Sequence, residues 1–159
     1  MNTEKERVAK LINEEGRTGS LSDAMQGADV IVGVSKPGVI TQEMVKGMAG
    51  QAIVFALANP IPEIMPDEAL AAGAAVVATG RSDFPNQVNN VLVYPGIFRG
   101  LLDARAKKLT MNMKLRAARA LADMVAEPTA DCIIPSILQV NPAPFLAAAV
   151  AEEVSFMSS

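Results

Sequence analysis

Ala52-Ile53-Val54-Phe55-Ala56-Leu57 is six apolar residues in a row, and the chain leaves it through Ala58-Asn59-Pro60. So short a run, rich in β-branched and aromatic residues and without polar alternation, reads as a strand buried in a parallel sheet. Upstream, Asp29-Val30-Ile31-Val32-Gly33-Val34 has the same character and is expected to be a parallel strand buried on both faces. Downstream, Ala75-Val76-Val77-Ala78 reads as a third. Between these runs Thr41 caps a helix through Met48 that Gly50 stops. Pro66-Asp67-Glu68-Ala69-Leu70 opens another, with Pro in its first turn, acids at its positive end and Gly73 beyond it. Strand, helix, strand, helix, strand with connections of this length gives right-handed βαβ units. The fold class is α/β, half of a doubly wound parallel sheet.

Outward from this centre, Val8, Leu11 and Ile12 stand at helical spacing between Glu4 and Asn13, and Ser22-Asp23-Ala24-Met25 opens a short helix ending near Gly27. Beyond residue 90 the pattern turns helical. Val91 to Ala106 mixes apolar and small residues, and Met113, Ala117, Leu121 and Met124 recur at near-helical spacing. Asn141-Pro142 supplies an N-cap and first-turn pair for a terminal helix through Val154.

A chain of 159 residues, half of them hydrophobic, can bury a real core and fits one domain or part of one. The net charge of -3 argues against a general nucleic-acid binder. Seven of the 14 basic residues fall between Arg99 and Arg119, but with Phe98 the sole aromatic within reach they read as a solvated helix surface or subunit contact. The lone Cys132, in the apolar run Cys132-Ile133-Ile134, excludes an internal disulfide, points to a reducing cytoplasmic setting and is expected to be buried and inert. With no His, Ser-His and Cys-His systems are excluded. Met1 to Arg7 is charged, unlike a signal peptide, and no apolar run approaches the ~20 residues of a membrane span.

In open parallel sheets, ligands bind beyond the carboxyl ends of the strands. Three such ends are Gly33-Val34-Ser35, Ala58-Asn59-Pro60 and the stretch Thr79-Gly80-Arg81-Ser82-Asp83-Phe84-Pro85-Asn86-Gln87-Val88-Asn89-Asn90. Gly33 permits close backbone approach, and Ser35 can hydrogen-bond a ribose or phosphate; alone, the tripeptide would be an ordinary strand exit. Asn59 is held extended by Pro60, with a turn-initiating Asn-Pro as the plain alternative. Adjacent carboxamides such as Asn89 and Asn90 offer donors and acceptors to a carboxylate and a hydroxyl together, while Asn89 could equally be only an N-cap. Asp83 and Glu63 are lone loop carboxylates, expected to face water, and no metal is assigned to them.

The Thr79–Asn90 stretch with Val91-Leu92-Val93-Tyr94-Pro95-Gly96-Ile97-Phe98 after it closely resembles a loop of the bacterial malic enzymes. Gly33-Val34-Ser35, Phe55-Ala56-Leu57-Ala58-Asn59-Pro60 and Gly96-Ile97-Phe98-Arg99-Gly100 resemble further signatures of that family, in the same order. The resemblance runs from about Asn2 onward and covers only the C-terminal part of such an enzyme, so the chain is expected to be a fragment. It implies a Rossmann-like half domain over 1–90, the second half of an NAD(P)-binding domain, and a C-terminal helical segment over 91–159 packing on it. It further implies that Asn59 contacts both nicotinamide ribose and substrate, that Asn89 and Asn90 bind malate or pyruvate, and that Gly33, Val34 and Ser35 belong to the cofactor rim. The family oxidises malate by hydride transfer to NAD or NADP and decarboxylates the product with Mg or Mn.

The rest of that machinery has no match here. Tyr94, Lys36 and Lys46 do not match the family's catalytic Tyr and Lys, and no acidic metal set or G-x-G-x-x-G phosphate turn occurs. The chain is therefore expected to bind no metal, to choose no nucleotide by itself and to be inactive alone. Two other readings stay open: a non-catalytic fragment, and the nucleotide-binding half of another hydroxy- or amino-acid dehydrogenase. An uncovered edge at Asp29–Val34 would template association, so a homo-oligomer is expected.

Overall fold

The computed structural model describes residues 3–13 and 16–157. The chain begins with α1 (Thr3–Ile12), whose Val8, Leu11 and Ile12 are exposed, and α2 (Leu21–Met25). Ser20 and Asp23 form a capping box at the start of α2, the cap lying two positions before the Ser22 start read from the sequence. Then β1 (Val30–Gly33), α3 (Gln42–Lys46), β2 (Ile53–Ala56), α4 (Pro66–Ala71) and β3 (Val76–Thr79) alternate. The Thr41 side chain accepts the Met44 N–H at 3.3 Å, so it caps α3 as expected. The helix ends sooner than expected, at Lys46: Gly47 is its C-cap, and the Gly47 carbonyl accepts the Gly27 N–H instead of one further along the helix. Gly73, at φ +105°, ends α4 in a conformation few other residues adopt.

The three strands are parallel in the order β1-β2-β3, with Gly33 beside Ala56 and Ala56 beside Thr79. All three carboxyl ends are therefore level. One face, formed by Ile31, Val54 and Val77, packs on Met25, Val45 and Ala69 from the helices. The other face is closed at β3, where Ala78 is fully buried, but opens toward β1, where Val30 and Val32 are about half exposed. The expectation that β1 is buried on both faces is corrected by this. Consecutive right-handed crossovers along one direction put α3 and α4 on the same side of the sheet, leaving the edge strand covered on one side only.

After a 3-10 turn at Asn90–Leu92 come α5 (Tyr94–Asp103), α6 (Met111–Ala122) and α7 (Ala143–Met157). Met113, Ala117 and Leu121 of α6 are buried with Leu92, Ile97, Leu146 and Val150 in a second apolar cluster, as their spacing foretells. Gly96 and Gly100 let α5 lie almost in backbone contact with α7: a Cβ on Gly100 would fall 2.6 Å from the Ala147 carbonyl oxygen. The Asn141 side chain accepts the Ala143 N–H at 3.1 Å, which starts α7 as expected. Arg105, Lys107, Lys108 and Lys114 are exposed, the solvated surface anticipated for the basic stretch. Cys132 is also exposed, against expectation. Residues 129–134 are a loop in which Ile133 and Ile134 turn inward, so the apolar run does not bury all its members. Among the described residues no helix is long and apolar enough to cross a membrane.

Candidate functional site at the strand ends

The level carboxyl ends of β2 and β3 open onto a cavity of about 380 Å³. Its walls are Leu57 and Asn59 from the β2 exit, Gly80 from the β3 exit, and Val88 through Asn90 from the loop that follows. Leu121 of α6 and Ile134 close it from the helical side. Asn59, Asn89 and Asn90, which lie up to 31 positions apart, thus face one space, and all three are solvent-accessible. The Asn89 side-chain oxygen accepts the Val91 N–H at 3.0 Å, capping the 3-10 turn. It is therefore both the N-cap of the plain reading and a wall of the cavity, its amide nitrogen left as a donor. Among the described residues, the side chains of Asn59 and Asn90 have no intramolecular hydrogen-bond partner. Asn59 is joined to Pro60 through a cis peptide.

Gly33, Val34 and Ser35 sit at the neighbouring β1 end and do not line this cavity. The group that closes on Gly33 is the carboxyl of Glu63. Glu63 corrects the expectation of a solvated loop carboxylate, for it is fully buried. Its two oxygens accept the Ser35 N–H at 2.7 Å and the Ala58 N–H at 3.0 Å. Burying a carboxylate is costly unless its oxygens are hydrogen-bonded, and here both are. Asp83 does face water, but it is held by Arg81 through two hydrogen bonds of 2.9 and 2.6 Å. Those bonds hold its carboxyl below the ordinary carboxylate range and raise the guanidinium of Arg81, which also lies 5.3 Å from the Phe84 ring centre.

A second feature the sequence reading passed over is Asn86, almost fully buried at φ +56°. Its amide nitrogen donates to the carbonyls of Val77 and Ala130, at 3.1 and 2.7 Å, and its oxygen accepts the Ile133 N–H at 2.8 Å. One side chain thereby ties β3, the carboxamide loop and the segment that carries Ile134 into the cavity wall. The Val88 N–H donates to the Thr79 carbonyl at 2.7 Å, closing the loop that sets Asn89 opposite Asn59.

The arrangement offers amide donors and acceptors at the mouth of a parallel sheet, suited to a small polar ligand with oxygen acceptors. Among the described residues, no three His, Cys, Asp or Glu side chains gather where they could hold a metal ion.

Residues 4–156 match the family model described as malic enzyme, NAD binding domain. The bifunctional malic/malolactic enzyme of Bacillus subtilis is 53% identical over 154 residues, covering 96% of this chain and 38% of that protein. The NAD-dependent malic enzyme of Geobacillus stearothermophilus is 54% identical over 134 residues, 83% of this chain and 28% of its own length. A crystal structure of malic enzyme from Pyrococcus horikoshii superposes with a TM-score of 0.87 at 49% identity, over 92% of this chain and 34% of that one. The chain thus spans well under half the length of the relatives it matches. The family model spans nearly the whole chain and the fold superposes closely, and this chain belongs to the malic enzyme family through its NAD-binding domain.

Proposed function

We propose that the chain serves as part of a malic enzyme, which oxidatively decarboxylates malate to pyruvate and CO2 with reduction of NAD or NADP. The observation that carries this is the convergence of Asn59, Asn89 and Asn90 on one cavity beyond the strand ends. In this reading Asn89 and Asn90 donate to a carboxylate or hydroxyl of malate or pyruvate. Asn59, at the tip of β2, reaches both the substrate and the ribose beside the nicotinamide, with Gly33, Val34 and Ser35 on the cofactor rim. The nicotinamide, when bound, takes up the hydride. The chain's own residues orient the two reactants and, with Leu57, Leu92 and Ile134, limit water on one side of them.

Residues 1–90 are the second half of the nucleotide-binding domain in this proposal, and 91–159 a helical segment packed on it. The pyrophosphate cradle, the acid–base pair and the metal ligands come from sequence outside this chain, as does the residue that selects NAD or NADP. The protein is proposed to be cytoplasmic, homo-oligomeric and without a nucleic-acid or membrane partner. The test is a chimera in which this chain replaces the matched stretch of the Bacillus subtilis enzyme. Malate-dependent reduction of NAD or NADP by the folded chimera supports the proposal, and a folded but inactive chimera overturns it. The isolated 159-residue chain is expected to show no turnover, since loss of general acid–base catalysis alone costs roughly 10²–10⁴-fold. Steady turnover by the purified chain would refute that assignment of roles.

A further inference from the structure

Past the last ladder bond between β1 and β2, where the Leu57 N–H donates to the Gly33 carbonyl at 3.0 Å, the strands part into their loops. Two backbone donors, those of Ser35 and Ala58, lie just beyond that point with no sheet partner. Glu63 satisfies both, one with each oxygen, at 2.7 and 3.0 Å. Its own backbone carbonyl accepts the Ile40 N–H at 3.2 Å, so main chain and side chain alike tie it to the β1 exit. The carboxyl fits only because position 33 is glycine: a Cβ there would stand 2.7 Å from Glu63 Cδ and 2.8 Å from Oε1. A glutamine would offer one acceptor and turn a donor toward the second N–H, and an aspartate is one methylene too short.

We propose that Glu63 is the positioning residue of the strand-end site, setting through Ala58 where Asn59 points and through its own bond where Ser35 lies. It touches neither reactant. The functional half of this inference rests on the reading of Asn59 as a ligand, while the structural half stands apart from it. Gly33 and Glu63 act as one unit, so Gly33→Ala and Glu63→Gln should produce the same defect, and together little more than either alone.

The test has two arms. In the 159-residue chain, amide hydrogen exchange by NMR should speed at Ser35 and Ala58 by about tenfold or more in Glu63→Gln, with Val54 and Ala56 unchanged. In the chimera with the Bacillus subtilis enzyme, a folded Glu63→Gln variant should show kcat/KM for malate lowered by about tenfold. That loss should disappear in an Asn59→Ala background, which a merely structural role would not produce. Unchanged exchange at Ser35 and Ala58 overturns the brace. Faster exchange with wild-type kcat/KM, where Asn59→Ala is itself impaired, overturns the positioning role. An unimpaired Asn59→Ala overturns the site reading beneath it instead. If Glu63→Gln does not fold, Gly33→Ala displaces the same carboxylate and is judged by the same readouts.

Discussion

Replacing Gly100 by alanine should destabilise the helical half of the protein, although alanine is the better helix former. The added Cβ would lie 2.6 Å from the Ala147 carbonyl oxygen, 2.8 Å from Val150 Cβ and 3.0 Å from Ala147 Cα. Two of these three atoms are backbone, so no rotamer change relieves the overlap and α5 must move away from α7. An ordinary contact begins near 3.4 Å, which sets the displacement at about 0.8 Å. That movement loosens a seam in which Leu146 and Val150 are fully buried. Overpacking of this kind costs about 1–3 kcal/mol, and the gain in helix propensity returns about 0.5–1 kcal/mol. The net loss of about 1–2 kcal/mol should lower the melting temperature by about 2–8 °C in a chain of this size. Thermal unfolding followed by circular dichroism reads it directly. Gly50→Ala is the control, since nothing lies within 4 Å of its would-be Cβ, and it should stay within about 0.5 kcal/mol of wild type. A Gly100→Ala protein as stable as wild type would refute the close packing on which the argument depends.

Asn86→Ala strands the buried Val77 carbonyl and the half-buried Ala130 carbonyl and Ile133 N–H, and puts alanine at positive φ, so urea unfolding should show a loss of about 2–3 kcal/mol; a loss under about 1 kcal/mol would mean the clamp is not formed. Asp83 has a folded-state pKa below its ordinary 3.8, so its pair with Arg81 contributes stability that is whole above that value and fades as pH falls through the lowered one. The difference in urea midpoint between wild type and Asp83→Asn should accordingly be small, constant near neutrality and shrinking toward pH 3; a difference that persists unchanged in acid contradicts the ion pair. The uncovered face and edge of β1, with Val30, Val32 and Val34 exposed, should make the chain associate. Light scattering that gives a 16.7 kDa monomer at tens of micromolar would refute this.

The sheet was legible because short apolar runs separated by capped helices admit few arrangements, and right-handed crossovers leave one. The carboxamide cluster was legible because ligands gather at strand carboxyl ends, so Asn59 and Asn89 were bound to approach each other once the strands were placed. Handedness also carried a consequence that local composition hid: an apolar strand such as Val30–Gly33 reads as buried on both sides, yet the crossovers through α3 and α4 both cover the same face and leave its other side exposed. Glu63 and Asn86 were harder, because their partners are distant in sequence. Glu63 reaches Ser35, 28 positions upstream, and Asn86 reaches Ala130 and Ile133, 44 and 47 positions downstream. The one local signal for Glu63 is a carboxylate set inside Ile61-Pro62-Glu63-Ile64-Met65-Pro66, where every neighbour is apolar. Gly96 and Gly100 read as family signature residues, and only the fold assigns them to the contact between α5 and α7.

The central claim is that the carboxamides at the strand ends hold the substrate, and kcat/KM for malate of Asn89→Ala in the active chimera tests it most directly. Asn89 is exposed and contributes little to the core, so the variant should fold like its parent. Leaving a substrate oxygen without its donor costs about 1–3 kcal/mol, a fall in kcat/KM of roughly 5- to 150-fold. A folded Asn89→Ala enzyme with the parent's kcat/KM for malate would contradict the account.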